Sequence, residues 1–206
     1  MLKIYGQARS RAFRVLWLAK ESNIAYEHIP VSIMVENAGC KEGWYLDLNP
    51  NGRVPTIDDD GVVVWETGAI NLYLAEQHKS PLYPTTPAGK ARMLQWAFFV
   101  TNDIEPPMIT MYQNRVIFAP EKRNAALADA AEQQLLGRLA TLEGQLNKTA
   151  YFGGDRWDMA DFMVACVLYT LTAIKYDLSK FPKLNAWLQA SIERPATKEA
   201  RKLREG

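Results

Sequence analysis

Cysteine is scarce in this chain of 206 residues: Cys40 and Cys166 are far apart and form no CxxC pattern. That scarcity excludes a disulfide-stapled scaffold and a thiolate zinc site, and no metal is expected. An excess of charge of one sign is missing as well. The net charge of +1 gives no overall field to recruit nucleic acid or an anionic membrane. Long apolar runs are also lacking. The most apolar stretch, about residues 159–174, is too short to span a bilayer and carries Thr170 and Thr172. Near the N-terminus, Gln7, Arg9, Arg11 and Arg14 interrupt any apolar signal segment. Internal repeats and low-complexity tracts are absent. What remains is 48% hydrophobic and 23% charged, the composition of a globular protein with a core. The length suits one large domain or two small ones, and the expectation is a cytoplasmic protein.

Charge is nonetheless unevenly spread. Residues 1–78 hold seven Lys/Arg against ten Asp/Glu, and three of those seven cations (Arg9, Arg11, Arg14) crowd into six positions. An anionic ligand is best received there. The same region alternates strand and helix patterns. LKIY (2–5) reads as a strand, residues 11–22 as a helix with Phe13, Leu16, Trp17 and Leu18 on its apolar side, and YEHIPV (26–31) as a second strand. Strand, helix, strand implies a right-handed crossover and a parallel pair. After an irregular stretch with a short helix near 43–48, residues 54–57 and 62–65 form a hairpin across DDDG. A helix over 67–78 closes the unit. Three prolines in 79–88 mark a linker, and the pattern from 89 onward is helical: about 89–117, kinked at Pro106–Pro107, then 121–147, 159–175 and 182–193. The basic tail (Lys198, Arg201, Lys202, Arg204) reads as solvated.

Specific segments then narrow the identity. NPNGRVPTIDDDGVVVWETGAINLYLA (49–75), SRAFRVLW (10–17) and GDRWDMAD (154–161) resemble, in turn, the glutathione-site segment, the first catalytic helix and the capping segment of the central helix of glutathione S-transferases. The closest likeness is to bacterial, theta-like members. The resemblance covers essentially the whole chain and implies a thioredoxin-like α/β domain over 1–78 and an all-α bundle over 89–206. It also implies glutathione as co-substrate, a homodimer, and conjugation of small hydrophobic electrophiles in detoxification. A non-catalytic binding or scaffold module, or a glutathione-dependent peroxidase or dehalogenase, is the competing expectation on the same fold. Positions 7–11 hold no cysteine, which argues against disulfide exchange. ARSRA (8–12) also lacks the serine-cysteine cluster of the maleylacetoacetate isomerase branch.

The resemblance assigns roles residue by residue. Ser10, before the first helix, is the candidate to hydrogen-bond and activate the glutathione thiolate, though a serine there also suits a plain N-cap. Tyr5, inside a strand, reads as packing. Val54–Pro55 is expected cis, presenting a backbone pair to the cysteinyl part as an added strand does; a trans proline starting a strand is the alternative. Glu66 and Thr67, at a helix start, suit the γ-glutamyl ammonium and carboxylate. Arg53 and Lys41, the latter in the 36–42 stretch, are candidates for the glycyl carboxylate. Met108, Met111, Tyr112 and Arg115 share a helix face and are candidates for the electrophile site, with core or interface packing the alternative. Asp103 is placed to reach a partner subunit's glutathione. Asp158 and Asp161 read as a capping box rather than a catalytic pair.

Overall fold

The first strand, β1 (Leu2–Tyr5), buries Leu2, Ile4 and Tyr5 and anchors the sheet. The computed structural model describes residues 1–33 and 39–205, so 34–38 and 206, including the first part of the 36–42 stretch, lie outside the description. Helix α1 (Ala12–Glu21) leads to β2 (Tyr26–Ile29), which runs parallel to β1 as expected. A short helix α2 (Gly43–Leu48) precedes an antiparallel hairpin of β3 (Thr56–Asp59) and β4 (Val62–Trp65), giving the order β2-β1-β3-β4. The sequence places the third strand at 54–57; it begins two residues later because Pro55 has no N–H for the ladder. Asp60 and Gly61 take the turn with φ of +51° and +93°, the left-handed pair that a two-residue hairpin favours. Helix α3 (Thr67–Gln77) closes the unit, its far end tied to buried Asp59 through Tyr73 and His78.

The chain forms two compact units. One runs from Met1 to Tyr83 and includes the chain from Glu193 onward; the other is Pro84–Ile192. The sequence reading put the whole C-terminal segment with the helical domain and its charges in solvent. Instead, α9 (Pro195–Glu205) is a helix of the first unit. Thr197 and Ala200 are fully buried, small enough for close approach, while Lys198, Glu199 and Lys202 stay exposed. The basic composition hides this face.

In the second unit, α4 (Pro87–Phe99) starts at Thr86, whose Oγ1 accepts the Gly89 N–H at 3.1 Å. Wide π-helical turns at Val100–Ile104 and Gln113–Ile117 flank α5 (Glu105–Tyr112). Pro106 and Pro107 sit in the first turn of α5, where a missing N–H costs little, and the expected kink takes the form of a changed helical register. Helix α6 (Ala125–Leu146) is capped by Asn124; Pro120 opens a separate 3-10 turn rather than this helix. Leu135, Leu139 and Leu142 face the core, but Leu127 is exposed. Helix α7 (Met159–Ala173) is buried on nearly all sides, and α8 (Pro182–Ile192) completes the unit. Phe152 stacks edge-on between Trp96 and Trp187, each at 4.8 Å. Among the described residues, no helix is long and apolar enough to cross a membrane.

Candidate functional site

The strand register gathers most of the expected residues at one end of the sheet. Tyr5 pairs with Thr56, and Thr56 with Trp65, so the end of β1, the start of β3 and the end of β4 coincide. Gly6 continues β1 with φ +133°, and a Cβ there would lie 2.9 Å from both Ala12 Cβ and Val54 Cβ. The start of α1 and the proline loop therefore pack on the same glycine. No motif in the sequence marks this glycine, although an absent side chain is the requirement.

Ser10 lies just ahead of α1. Its hydroxyl donates to the Gln7 carbonyl at 2.7 Å, and its oxygen accepts the Ala12 N–H at 3.1 Å. The oxygen thus satisfies the amide of the first residue of α1, whose cap position is Arg11, while its single proton points at a carbonyl. The neighbouring cations do not act as one patch: Arg14 is buried, and the Arg9 Nε–H donates to the Arg204 carbonyl at 3.2 Å.

The Val54–Pro55 bond is cis. Among the described residues, no backbone hydrogen bond reaches the Val54 N–H or C=O. A polar network secures the loop from behind. Buried Tyr45 and Asn49 Nδ2 both donate to the Arg53 carbonyl, at 2.7 and 2.8 Å, and Thr56 Oγ1 bonds to both side chains. Burial pushes the Tyr45 phenol up to about 12, so it remains a donor at neutral pH. Asn49 belongs to the NPNGRVP motif, but Tyr45 carried no sequence signal. Arg53 is exposed at the loop's edge. Lys41 is brought beside it: a Cβ on Gly52 would fall 2.8 Å from the Lys41 ammonium. Tyr5 and Cys40 pack in an apolar cluster with Val31 and Tyr45.

Glu66 has φ +73° and ψ 118°, a costly backbone for a residue with a Cβ. It holds the cap position of α3, Thr67 being the first helical residue, and among the described residues its side chain makes no capping hydrogen bond. The N–H groups of that first turn, with their partial positive charge, therefore face outward beside a carboxylate.

The four residues expected to meet an electrophile fare differently. Met108 is fully buried in the core of the second unit. Met111, Tyr112 and Arg115 line a cavity of about 490 Å³ with Leu136, Ile174 and Tyr176. There Arg115 bonds Asp129 and Glu132 at 2.9 and 2.6 Å, and that contact holds the Glu132 carboxyl below its usual range. Asp103 pairs with Arg138 at 3.5 Å. Asp158 and Asp161 form the expected capping box of α7. Asp161 does more than cap: it also accepts from Phe152 N, Gly153 N and Trp187 Nε1. Among the described residues, no cluster of side chains could hold a metal ion.

Sheet, cis-proline loop and open helix start define a thioredoxin-like unit, here joined to an all-helical one. Residues 1–76 match the family described as glutathione S-transferase, N-terminal domain, and residues 106–195 match glutathione S-transferase, C-terminal domain. Curated relatives include glutathione S-transferase GstB of Escherichia coli K12, 28% identical over 97% of each chain. Glutathione S-transferase F13 of Arabidopsis thaliana is 30% identical, covering 95% of this chain and 92% of its own. The theta class glutathione S-transferase of Xanthomonas axonopodis pv. citri, solved with glutathione bound, is 30% identical with a TM-score of 0.88 over 97% of this chain and 96% of that one. The chain belongs to the glutathione S-transferase superfamily.

Proposed function

We propose that this glutathione transferase ionises the glutathione thiol beside Ser10 and conjugates the thiolate to small hydrophobic electrophiles, as a cytoplasmic homodimer serving detoxification. One observation carries the reading: Ser10, the Val54–Pro55 loop and the Glu66–Thr67 helix start belong to a single end of one sheet. Extended glutathione would lie along that end. Its cysteinyl amide meets the Val54 backbone as an added strand. Its γ-glutamyl carboxylate meets the first turn of α3, and its ammonium meets Glu66. Arg53 and Lys41 are the cations for the glycyl carboxylate. Met111, Tyr112 and Arg115 are the contacts for the acceptor, and the buried position of Met108 favours its packing role.

The energetic demand is modest. Free thiols ionise near pH 8.5, and lowering that by about two units takes roughly 2.7 kcal/mol of preference for the thiolate. A hydrogen bond to a charged group supplies about 1.5–3 kcal/mol, and a helix N-terminus about 0.3–1. Rotation of the Ser10 hydroxyl from the Gln7 carbonyl toward sulfur supplies the first, while its oxygen keeps the Ala12 N–H. The thiol proton leaves to solvent, and the thiolate attacks the electrophilic carbon or displaces a halide. Ser10→Ala should raise the thiol pKa of bound glutathione by about one to two units, read from thiolate absorbance against pH. An unchanged profile removes Ser10 from the mechanism. Retention on glutathione resin without turnover of a chloro-dinitroaromatic would instead favour a binding module.

A further inference from the structure

The two ends of α9 are tied to the two ends of α1. At the start, Arg194 places Nε and Nη2 on the two oxygens of Glu21, at 2.8 and 2.7 Å, and the Glu21 side chain is only 4% exposed. Trp17 Nε1 adds a third bond to the same carboxylate at 3.1 Å. At the other end, residue 204 makes two contacts. Its carbonyl accepts the Arg9 Nε–H, and its guanidinium lies over the Phe13 ring, 5.3 Å from the centroid. Residues 9 and 13 stand on either side of Ser10. The α9 helix therefore runs antiparallel along α1 and grips the loop that holds the proposed thiolate partner from both flanks.

The physics favours such a grip. A carbonyl in the last turn of a helix has no partner within the helix and carries partial negative charge, which suits a guanidinium donor. Arg9 thus caps α9 at its C-terminal end. Ala8 next to it is buried while Arg9 itself is exposed, so Arg9 is the outward tether of a segment already pinned inward. Phe13 is almost completely buried, and the arginine above it closes the first turn of α1.

We propose that the C-terminal helix is a positioning strap for the Ser10 loop, with Arg9 and residue 204 as its buckle. The proposal rests on the reading of Ser10 as thiolate partner. It predicts that loosening the buckle damages thiol ionisation more than glutathione binding, which depends on the Val54 loop and α3.

Three variants of the full chain test it: Arg9→Ala, Arg9→Lys, and deletion of residues 203–206. Arg9→Ala leaves α9 intact should the deletion unravel it. First, amide hydrogen exchange over residues 7–15 is measured without glutathione. The strap requires faster exchange in Arg9→Ala and the deletion, with Arg9→Lys close to wild type because an ammonium can still donate to the carbonyl. Second, the pH profile of kcat/KM is recorded. Arg9→Ala and the deletion should shift its rising limb up by about half to one pH unit and lower kcat at neutral pH about threefold to tenfold. Affinity for S-hexylglutathione should stay within about twofold. Unchanged exchange overturns the strap, as does a loss in which affinity falls in step with kcat while the pH profile stays fixed. A wild-type protein that fails to bind glutathione defeats the transferase reading instead, and the exchange data still decide whether the strap exists.

Discussion

Glu66 shows at the scale of one residue how a site can oppose its own fold. A non-glycine side chain at φ +73° costs of the order of 1–3 kcal/mol. On the proposed binding mode the carboxylate lies where glutathione's ammonium would sit, so strain and binding would share one position. Glu66→Gly should therefore raise stability by about 0.5–1 kcal/mol and weaken glutathione binding at least about tenfold. Urea unfolding and calorimetry measure the two effects separately. Loss of stability in the glycine variant would show that the backbone is not strained. The residue's identity was legible from the segment WETGAI, but its conformation was not, because φ depends on the hairpin register that delivers the chain to α3. Ser10 was legible in the same partial way. Sequence places a hydroxyl before α1; only the structure shows its proton spent on Gln7 and its oxygen on Ala12.

Elements followed from sequence where hydrophobic period and punctuation agreed, and departed where they conflicted. The β-α-β start, the Asp-Gly hairpin and buried α7 were all readable. Helix α9 was not, because its apolar face consists of small residues such as Thr197 and Ala200 among cations. The Asp158–Asp161 spacing predicts a capping box and the box is present, yet the spacing gives no hint that Asp161 also collects donors from Phe152, Gly153 and Trp187. Burial outweighs those donors and pushes the Asp161 carboxyl up to about 6. An unfolded aspartate titrates near 3.9. Between about pH 4 and 6 the folded state then holds a proton that the unfolded state has released, so this group's contribution to stability falls as pH rises through that window. Asp161→Asn has no such proton. Its unfolding free energy relative to wild type should improve by up to roughly 3 kcal/mol from about pH 4 to about pH 6.5, by urea titration at each pH. A change of opposite sign would show that the N–H donors dominate over burial.

On the scale of the whole molecule, each unit leaves apolar surface that a lone chain has no use for. Strand β4 is an edge of the sheet, yet Val62, Val63 and Trp65 are each at least 40% exposed on it. In the helical unit, Leu94 and Phe98 lie one turn apart on α4, and Phe98 is 59% exposed. An open edge strand bearing three large apolar side chains invites pairing or aggregation unless something covers it. A second copy of the chain would supply matching surface without a new partner, since a two-fold interface buries the same residues from both sides. The prediction is a dimer at micromolar concentration by sedimentation equilibrium, with a Tm that rises with protein concentration. Val63→Glu combined with Phe98→Glu should leave a folded monomer, because both side chains are exposed and neither belongs to a core. Apart from Asp103, the residues proposed to hold glutathione come from one chain, so that monomer should still be retained on glutathione resin. A wild-type protein that sediments as a monomer at every concentration would leave these surfaces to another occupant, and a double variant that stays dimeric would move the interface elsewhere.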